Sequence, residues 1–88
     1  MEHVFVRLPN PASVQAFVHC LNKLDGEFEL VSDGFILDAR SLMGIFSLDL
    51  SQPLQLNIYE NAPAAKKALA EFIVPGGEAA PRKEEENG

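Results

Sequence analysis

The chain has 88 residues, of which 47% are hydrophobic, and a formal net charge of −6. A chain of this length predicts one compact domain, and the excess of carboxylates argues against binding of nucleic acid, which requires clustered lysine and arginine. The single cysteine, Cys20, excludes an internal disulfide and fits a cytoplasmic location. No apolar run approaches the roughly 20 residues that a membrane span needs, and the first ten residues do not resemble a signal peptide.

The distribution of apolar residues predicts seven elements. Alternation with a period of two indicates strands, and recurrence at three-to-four spacing indicates helices. The predicted elements, in chain order, are a strand over His3–Leu8, a helix over Pro11–Leu24, strands over Glu27–Val31 and Phe35–Leu37, a short helix after Ser41, a strand over Leu54–Tyr59 and a helix after Asn61. An antiparallel sheet covered on one face by helices is the economical arrangement of this order.

Local signals mark several boundaries of these elements. Asn10 is a favourable helix N-cap, and Pro11 suits the first helical position, where its missing N–H costs nothing. Asp33 and Gly34 provide the positive φ angles of a tight hairpin turn. Ser41 is predicted to cap the short helix that follows it.

The last helix is expected to have Asn61 as its N-cap and to end before Pro75. Residues 75–88 contain no large apolar side chain, so we predict a domain over residues 1–74 and a disordered acidic tail over 75–88. The inner face of the last helix is expected to hold Ala65, Ala68, Leu69, Phe72 and Ile73.

The segment Leu37–Leu48 contains Arg-Ser-Leu-Met-Gly at residues 40–44, which resembles the Lys/Arg-Ser-Ile/Leu-Met-Gly motif of the HPr family. These proteins are small phosphocarriers of the bacterial, phosphoenolpyruvate-dependent sugar phosphotransferase system. The match extends without gaps from about Lys23 to Phe72, and residues 11–13 are similar to the start of the family's first helix. The resemblance implies an α+β fold, the HPr-like open-faced sandwich, in which a four-stranded antiparallel sheet carries three helices on one face.

The chain departs from the family at the phosphate-accepting motif, His-Ala-Arg-Pro-Ala. That motif aligns with residues 8–12, so Leu8 stands at the histidine position and Asn10 at the arginine position, while Pro11 is retained. Leucine has no lone pair that could accept a phosphoryl group, and asparagine lacks the charge with which arginine binds phosphate. We therefore expect no phosphoryl relay through these positions and predict that the chain is not an enzyme.

The resemblance also implies a regulatory site at Ser41, because an ATP-dependent kinase phosphorylates the matching serine of the family. A phosphate at a helix N-terminus is stabilised by unpaired N–H groups, and the adjacent Arg40 is expected to help. Leu42, Met43 and Phe46 are expected to form an exposed apolar surface. The implied partners of this surface and of Arg40 are an HPr-type kinase and a transcriptional regulator. Alternatively, Ser41 only caps its helix, and Leu42 and Phe46 belong to the core.

Other candidate residues carry less chemistry. His3 and His19 are the only histidines, and a carrier with a relocated histidine would use one of them. Neither has a second ligand at metal-binding spacing, so no metal and no cofactor are predicted. Cys20 is expected to be a small buried hydrophobe. The sequence thus predicts a non-catalytic regulatory protein similar to the catabolite-repression form of HPr, with a relocated-histidine carrier and an unrelated interaction module as alternatives, and it leaves the oligomeric state open.

Overall fold

The computed structural model describes residues 1–75 of the chain. The part of the predicted tail from residue 76 onward lies outside these residues. The order and type of the elements agree with the sequence prediction. The elements are β1 (Glu2–Val6), α1 (Pro11–Leu21), β2 (Phe28–Ser32), β3 (Phe35–Asp38), α2 (Leu42–Phe46), β4 (Leu54–Ile58) and α3 (Ala62–Ala68), followed by a single 3-10 turn at Ala70–Phe72.

The four strands form one antiparallel sheet in the order β1-β4-β2-β3. Because β4 and β2 lie in the centre, β1 and β3 are the two edges. Leu56 of β4 is opposite Val4 on one side and Leu30 on the other, so these three apolar residues share one face of the sheet. The predicted α+β architecture, an open four-stranded sheet with three helices, is confirmed.

The core lies between this face of the sheet and the helices. The alternation expected in β1, β2 and β4 is confirmed, since the residues assigned to the inner face are buried. The Phe17 ring of α1 meets the Phe72 ring edge-to-face, with centroids 5.5 Å apart. The buried apolar residues are Val4, Val6, Leu8, Val14, Phe17, Leu21, Phe28, Leu30, Ala39, Ile45, Leu54, Leu56, Ile58, Ala65, Leu69 and Phe72.

The hairpin between β2 and β3 has the predicted turn. Asp33 and Gly34 have φ angles of 50° and 84°, and Ser32 and Phe35 are opposite each other directly beside the turn. Two consecutive positive φ angles match the right-handed twist of the flanking strands. The two residues of the turn therefore fix the register of β3 against β2.

The end of the chain differs from the sequence prediction. Asn61 is the N-cap residue of α3, as predicted, but its backbone is left-handed (φ 51°) rather than extended as is typical of a cap, and its side chain makes no capping hydrogen bond. The helix α3 ends at Ala68, which is exposed rather than on the inner face. Ile73 lies outside any helix and forms an antiparallel bridge with Val6. Pairing with β1 therefore replaces the last turn of the predicted helix.

Within residues 1–75, none of the helices combines the length and the apolar character that crossing a lipid bilayer demands.

Candidate functional site

The start of α1 is closed by its own side chains. Asn10 is the N-cap, and its Oδ1 accepts a hydrogen bond of 2.8 Å from the Ser13 N–H. In return, the Ser13 Oγ accepts a bond of 3.2 Å from the Asn10 N–H, which completes a capping box, and Pro11 occupies the first turn as predicted. The cap thus satisfies part of the polar backbone that a helix N-terminus could offer to an anion.

Leu8 lies just before this helix and is completely buried in the core. The predicted strand over His3–Leu8 ends at Val6, so Leu8 belongs to the connection between β1 and α1. Its side chain nevertheless points inward and packs with the apolar core cluster. A residue enclosed in this way is inaccessible to a second protein, whatever its chemistry.

Neither histidine belongs to the first turn of a helix. His3 is exposed on β1, where its ring meets the Phe5 ring edge-to-face at 5.9 Å. His19 is exposed in the last turn of α1, where N–H groups are already used within the helix. Cys20 packs against the core but is only half-buried, whereas a buried position was expected. Within the described residues, His, Cys, Asp and Glu side chains nowhere gather in threes that could hold a metal ion.

Ser41 is the N-cap of α2, as the sequence predicts. Its Oγ accepts a hydrogen bond of 3.2 Å from the Gly44 N–H, and the side chain is half-buried. The absence of a side chain at Gly44 has a structural reason, because a Cβ at that position would lie 2.8 Å from the Ser41 Oγ. The two residues are therefore matched, because the small residue leaves room for the capping hydroxyl.

The Arg40 guanidinium binds backbone carbonyl oxygens at the end of α1 and in the residues that follow it. Its Nη2 donates to the carbonyl oxygens of Leu21 (3.0 Å) and Leu24 (2.7 Å), and its Nη1 donates to that of Gly26 (3.0 Å). The guanidinium also lies over the Phe28 ring, with Cζ 5.2 Å from the centroid. A cation at a helix C-terminus complements both the unpaired carbonyls and the helix dipole. These contacts do not support the expectation that Arg40 assists a phosphate on Ser41, and its role in partner binding stays a prediction.

The helix α2 exposes three apolar side chains, which we call the α2 patch: Leu42, Met43 and Phe46. Met43 is 82% exposed, and Leu42 and Phe46 are 36% and 41% exposed, whereas Ile45 on the inner face is buried. The alternative in which Leu42 and Phe46 belong to the core is therefore not observed. The α2 patch directly follows the capping serine, so a charge added there would be adjacent to an apolar contact surface.

Sequence reasoning missed a second exposed apolar surface, on β3. Phe35 and Ile36 are 68% and 64% exposed. Two neighbouring residues of a strand point to opposite faces, so an apolar pair at the edge of a sheet cannot be buried on one face alone. This run of apolar residues beside the turn was the signal available in the sequence.

Three ionisable groups of the surface have perturbed pKa values. The pKa of Glu2 is lowered by hydrogen bonding to Lys66 and by its charge, and that of Asp49 is lowered by hydrogen bonds from the side chain and backbone of Ser51. The pKa of Tyr59 is raised, because its hydroxyl donates a 2.6 Å hydrogen bond to the Glu29 carboxylate. All three groups are exposed, and each shift has a local hydrogen bond as its largest cause.

Comparison with solved structures identifies proteins of the same architecture. A crystal structure of HPr-C-His from Thermoanaerobacter tengcongensis is 26% identical with a TM-score of 0.67, and the match covers 81% of this chain and 89% of that one. A phosphocarrier protein HPr from Bacillus anthracis str. Ames is 25% identical with a TM-score of 0.57, covering 81% of this chain and 93% of that one. No family model matches the chain, and no curated protein matches it either.

Both structural neighbours thus bear the name HPr, and the second is named a phosphocarrier, so neither name assigns an enzymatic reaction. The match spans most of each protein and agrees with the strand order and helix positions described above. The chain is accordingly an HPr-like protein in fold.

Proposed function

We propose that this chain is a non-catalytic regulatory protein related to the phosphoenolpyruvate-dependent sugar phosphotransferase system, which binds a protein partner through the α2 patch under the control of phosphorylation at Ser41. The observation that carries the proposal is the exposure of Leu42, Met43 and Phe46 on a helix capped by that serine. The structural neighbours, HPr-C-His and a phosphocarrier protein HPr, supply the link to phosphoryl transfer.

The loss of the carrier reaction follows from the start of α1. The resemblance aligns Leu8 with the phosphate-accepting histidine, and this side chain is apolar and completely buried. The aligned arginine position holds Asn10, whose side chain is used in the capping box. Neither residue offers a nucleophilic nitrogen or a cation to a phosphoryl group, so the relay is replaced by a purely regulatory role.

Phosphorylation at Ser41 would act by charge. A phosphate adds about −1.5 to −2 units of charge at neutral pH. It would lie beside Leu42 and Met43, where the first N–H groups of α2 can donate to its oxygens. Since the Arg40 guanidinium is bonded to three carbonyl oxygens of the domain, the cation that recognises the phosphate must come from the partner. A basic group next to an apolar pocket is therefore the expected complement on the partner.

The proposal is tested by incubating the protein with an HPr-type kinase and ATP and by mapping the phosphate with mass spectrometry. We expect one phosphate on Ser41, none on a Ser41→Ala variant, and normal labelling of Ser47→Ala. Ser47 is a matched control, since it is the C-cap of the same helix and is exposed. An unmodified Ser41 would refute the regulatory role.

The α2 patch is tested separately with a purified regulator of the type that binds phosphorylated HPr. We expect the phosphorylated protein to bind and a Met43→Glu variant, phosphorylated to the same extent, to bind weakly. Equal binding by Met43→Glu would place the contact elsewhere on the protein.

A carrier with a relocated histidine predicts a different product. Phosphoenolpyruvate and the first enzyme of the phosphotransferase system would then place an acid-labile phosphate on His3 or His19. We expect none, because neither imidazole lies at a helix N-terminus that could stabilise the phosphoryl group. A histidine label would overturn the non-catalytic assignment, and absence of both labels would favour an interaction module unrelated to sugar uptake.

A further inference from the structure

The strand β3 has one unused side of backbone. It is the last strand in the order β1-β4-β2-β3, and within residues 1–75 no strand pairs with its outer side. The Ala39 N–H donates to the Phe28 carbonyl oxygen at 3.0 Å. Hydrogen-bonded and non-bonded pairs alternate along an antiparallel ladder, so the N–H and C=O of Ile36 point away from β2. This edge offers a donor and an acceptor to an added strand.

The side chains of β3 do not protect this edge. Edge strands of natural proteins commonly carry lysine, proline or a bulge that prevents pairing with another chain. Here Phe35 and Ile36 are both largely exposed on opposite faces of the strand, and Asp38 at its end is the only charged residue. The exposed apolar area thus accompanies the unused backbone groups.

Two cavities adjoin the same edge. The first, of about 350 Å³, lies against Phe35 and Leu48 and is bordered by apolar atoms of β3 and by the residues that follow α2. The second, of about 250 Å³, lies towards the other end of β3, where three carboxylates (Glu27, Glu29 and Asp38) and one cation (Arg40) are among its lining groups. An apolar and an acidic cavity therefore follow one another along the strand.

The charge around this edge is strongly negative. Five carboxylates belong to β2, β3 and the adjacent loops: Glu27, Glu29, Asp33, Asp38 and Asp49. The Arg40 guanidinium of this region is bonded to carbonyl oxygens. None of the other cations of the described residues lines either cavity: Arg7 lies just after β1 at the opposite edge, Lys66 is paired with Glu2, Lys67 is on α3 and Lys23 follows α1.

We infer that the free edge of β3 binds an extended, basic peptide segment of a partner protein, which adds to the sheet as a fifth strand. Backbone hydrogen bonds to Ile36 would hold the segment, an apolar side chain would enter the cavity beside Phe35, and a lysine or arginine would meet Glu29 and Asp38. A second copy of this chain fits less well, because self-pairing would bring two acidic edges together. The inference goes beyond the proposed function, which uses the α2 patch.

The test measures binding of short, fluorescently labelled synthetic peptides to the wild-type protein by anisotropy. A peptide of alternating valine and lysine is expected to bind, more weakly as the salt concentration rises, and a peptide of alternating valine and glutamate is expected not to bind. A valine–lysine peptide that is N-methylated on every backbone amide keeps its side chains but has no N–H left on either edge with which to pair as a strand. We expect it to bind about tenfold more weakly or worse, since at least one backbone hydrogen bond is lost.

A pair of variants locates the site on β3. Ile36→Pro removes the outward N–H, and an edge strand tolerates proline where its N–H faces solvent; Ile36→Val keeps the N–H and most of the apolar surface. Loss of peptide binding in the first variant but not in the second supports the inference. Equal binding of the N-methylated peptide, or no binding of the valine–lysine peptide to the wild-type protein, overturns it. Self-association of the wild-type protein that Ile36→Pro abolishes, without peptide binding, overturns it in favour of a second copy.

Discussion

Arg40 allows a direct test of how the domain is held together. The Arg40→Met change keeps an unbranched aliphatic stem but removes the three hydrogen bonds to the carbonyl oxygens at and just after the end of α1 and the contact with the Phe28 ring. At about 1 kcal/mol for each hydrogen bond, and about 0.5 kcal/mol for the cation–π contact, the expected loss is about 3.5 kcal/mol of the free energy of unfolding. For a domain of this size that loss lowers the Tm by about 14–28 °C.

The assay is thermal and urea unfolding followed by far-ultraviolet circular dichroism. Lys67→Met is the matched control, since Lys67 is exposed on α3 and the substitution also replaces a long cationic side chain with methionine. We expect this control to change the free energy of unfolding by less than about 0.5 kcal/mol. If Arg40→Met and Lys67→Met unfold at the same temperature, the structural role assigned to Arg40 is refuted, and partner binding becomes its only remaining role.

Three further predictions concern single side chains. Leu8→His should lower the free energy of unfolding by about 3 kcal/mol, because an imidazole would replace a fully enclosed apolar group. The variant should also gain no phosphate from phosphoenolpyruvate, and a stable, labelled variant would contradict this prediction. Gly44→Ala should destabilise the protein by about 1 kcal/mol in urea unfolding, since the added Cβ displaces the capping hydroxyl, but should be stabilising in a Ser41→Ala background, where the clash is absent and helix propensity decides. Tyr59 is the only tyrosine and the chain has no tryptophan, so its phenolate absorbance should titrate above the ordinary value of 10, and Glu29→Ala should lower the midpoint. Because the neutral phenol is favoured in the folded state, the stability it confers is present below pH 10 and is lost as the pH rises through the raised pKa; an unchanged midpoint in Glu29→Ala would show that the hydrogen bond is not formed.

Elements with local chemistry could be predicted from the sequence. The cap by Asn10 and the turn at Asp33 and Gly34 depend on the conformations of a few neighbouring residues, which side-chain chemistry determines directly. The end of α3 could not be predicted in the same way. Ile73 pairs with Val6, a residue far away in the sequence, and this tertiary contact outweighs the helical pattern of the segment.

The candidate site shows the same division. The cap by Ser41 was predicted from its side-chain chemistry, and the exposure of Met43 was predicted from the family resemblance. The contacts of Arg40 were not, since its acceptors are backbone carbonyls, which every residue possesses and which therefore leave no signal in the sequence. Whether Arg40 binds a phosphate or the end of a helix could be decided only from the positions of these carbonyl oxygens in the structure.

The enclosure of Leu8 bears on how this protein could change over generations. A surface residue can be exchanged back and forth at little cost, but this side chain fills space that its neighbours have closed around. A polar replacement would require compensating mutations in those neighbours before it became tolerable. The apolar character of the position therefore resists replacement, and a phosphoryl-accepting side chain could arise at this point only by rebuilding the surrounding core.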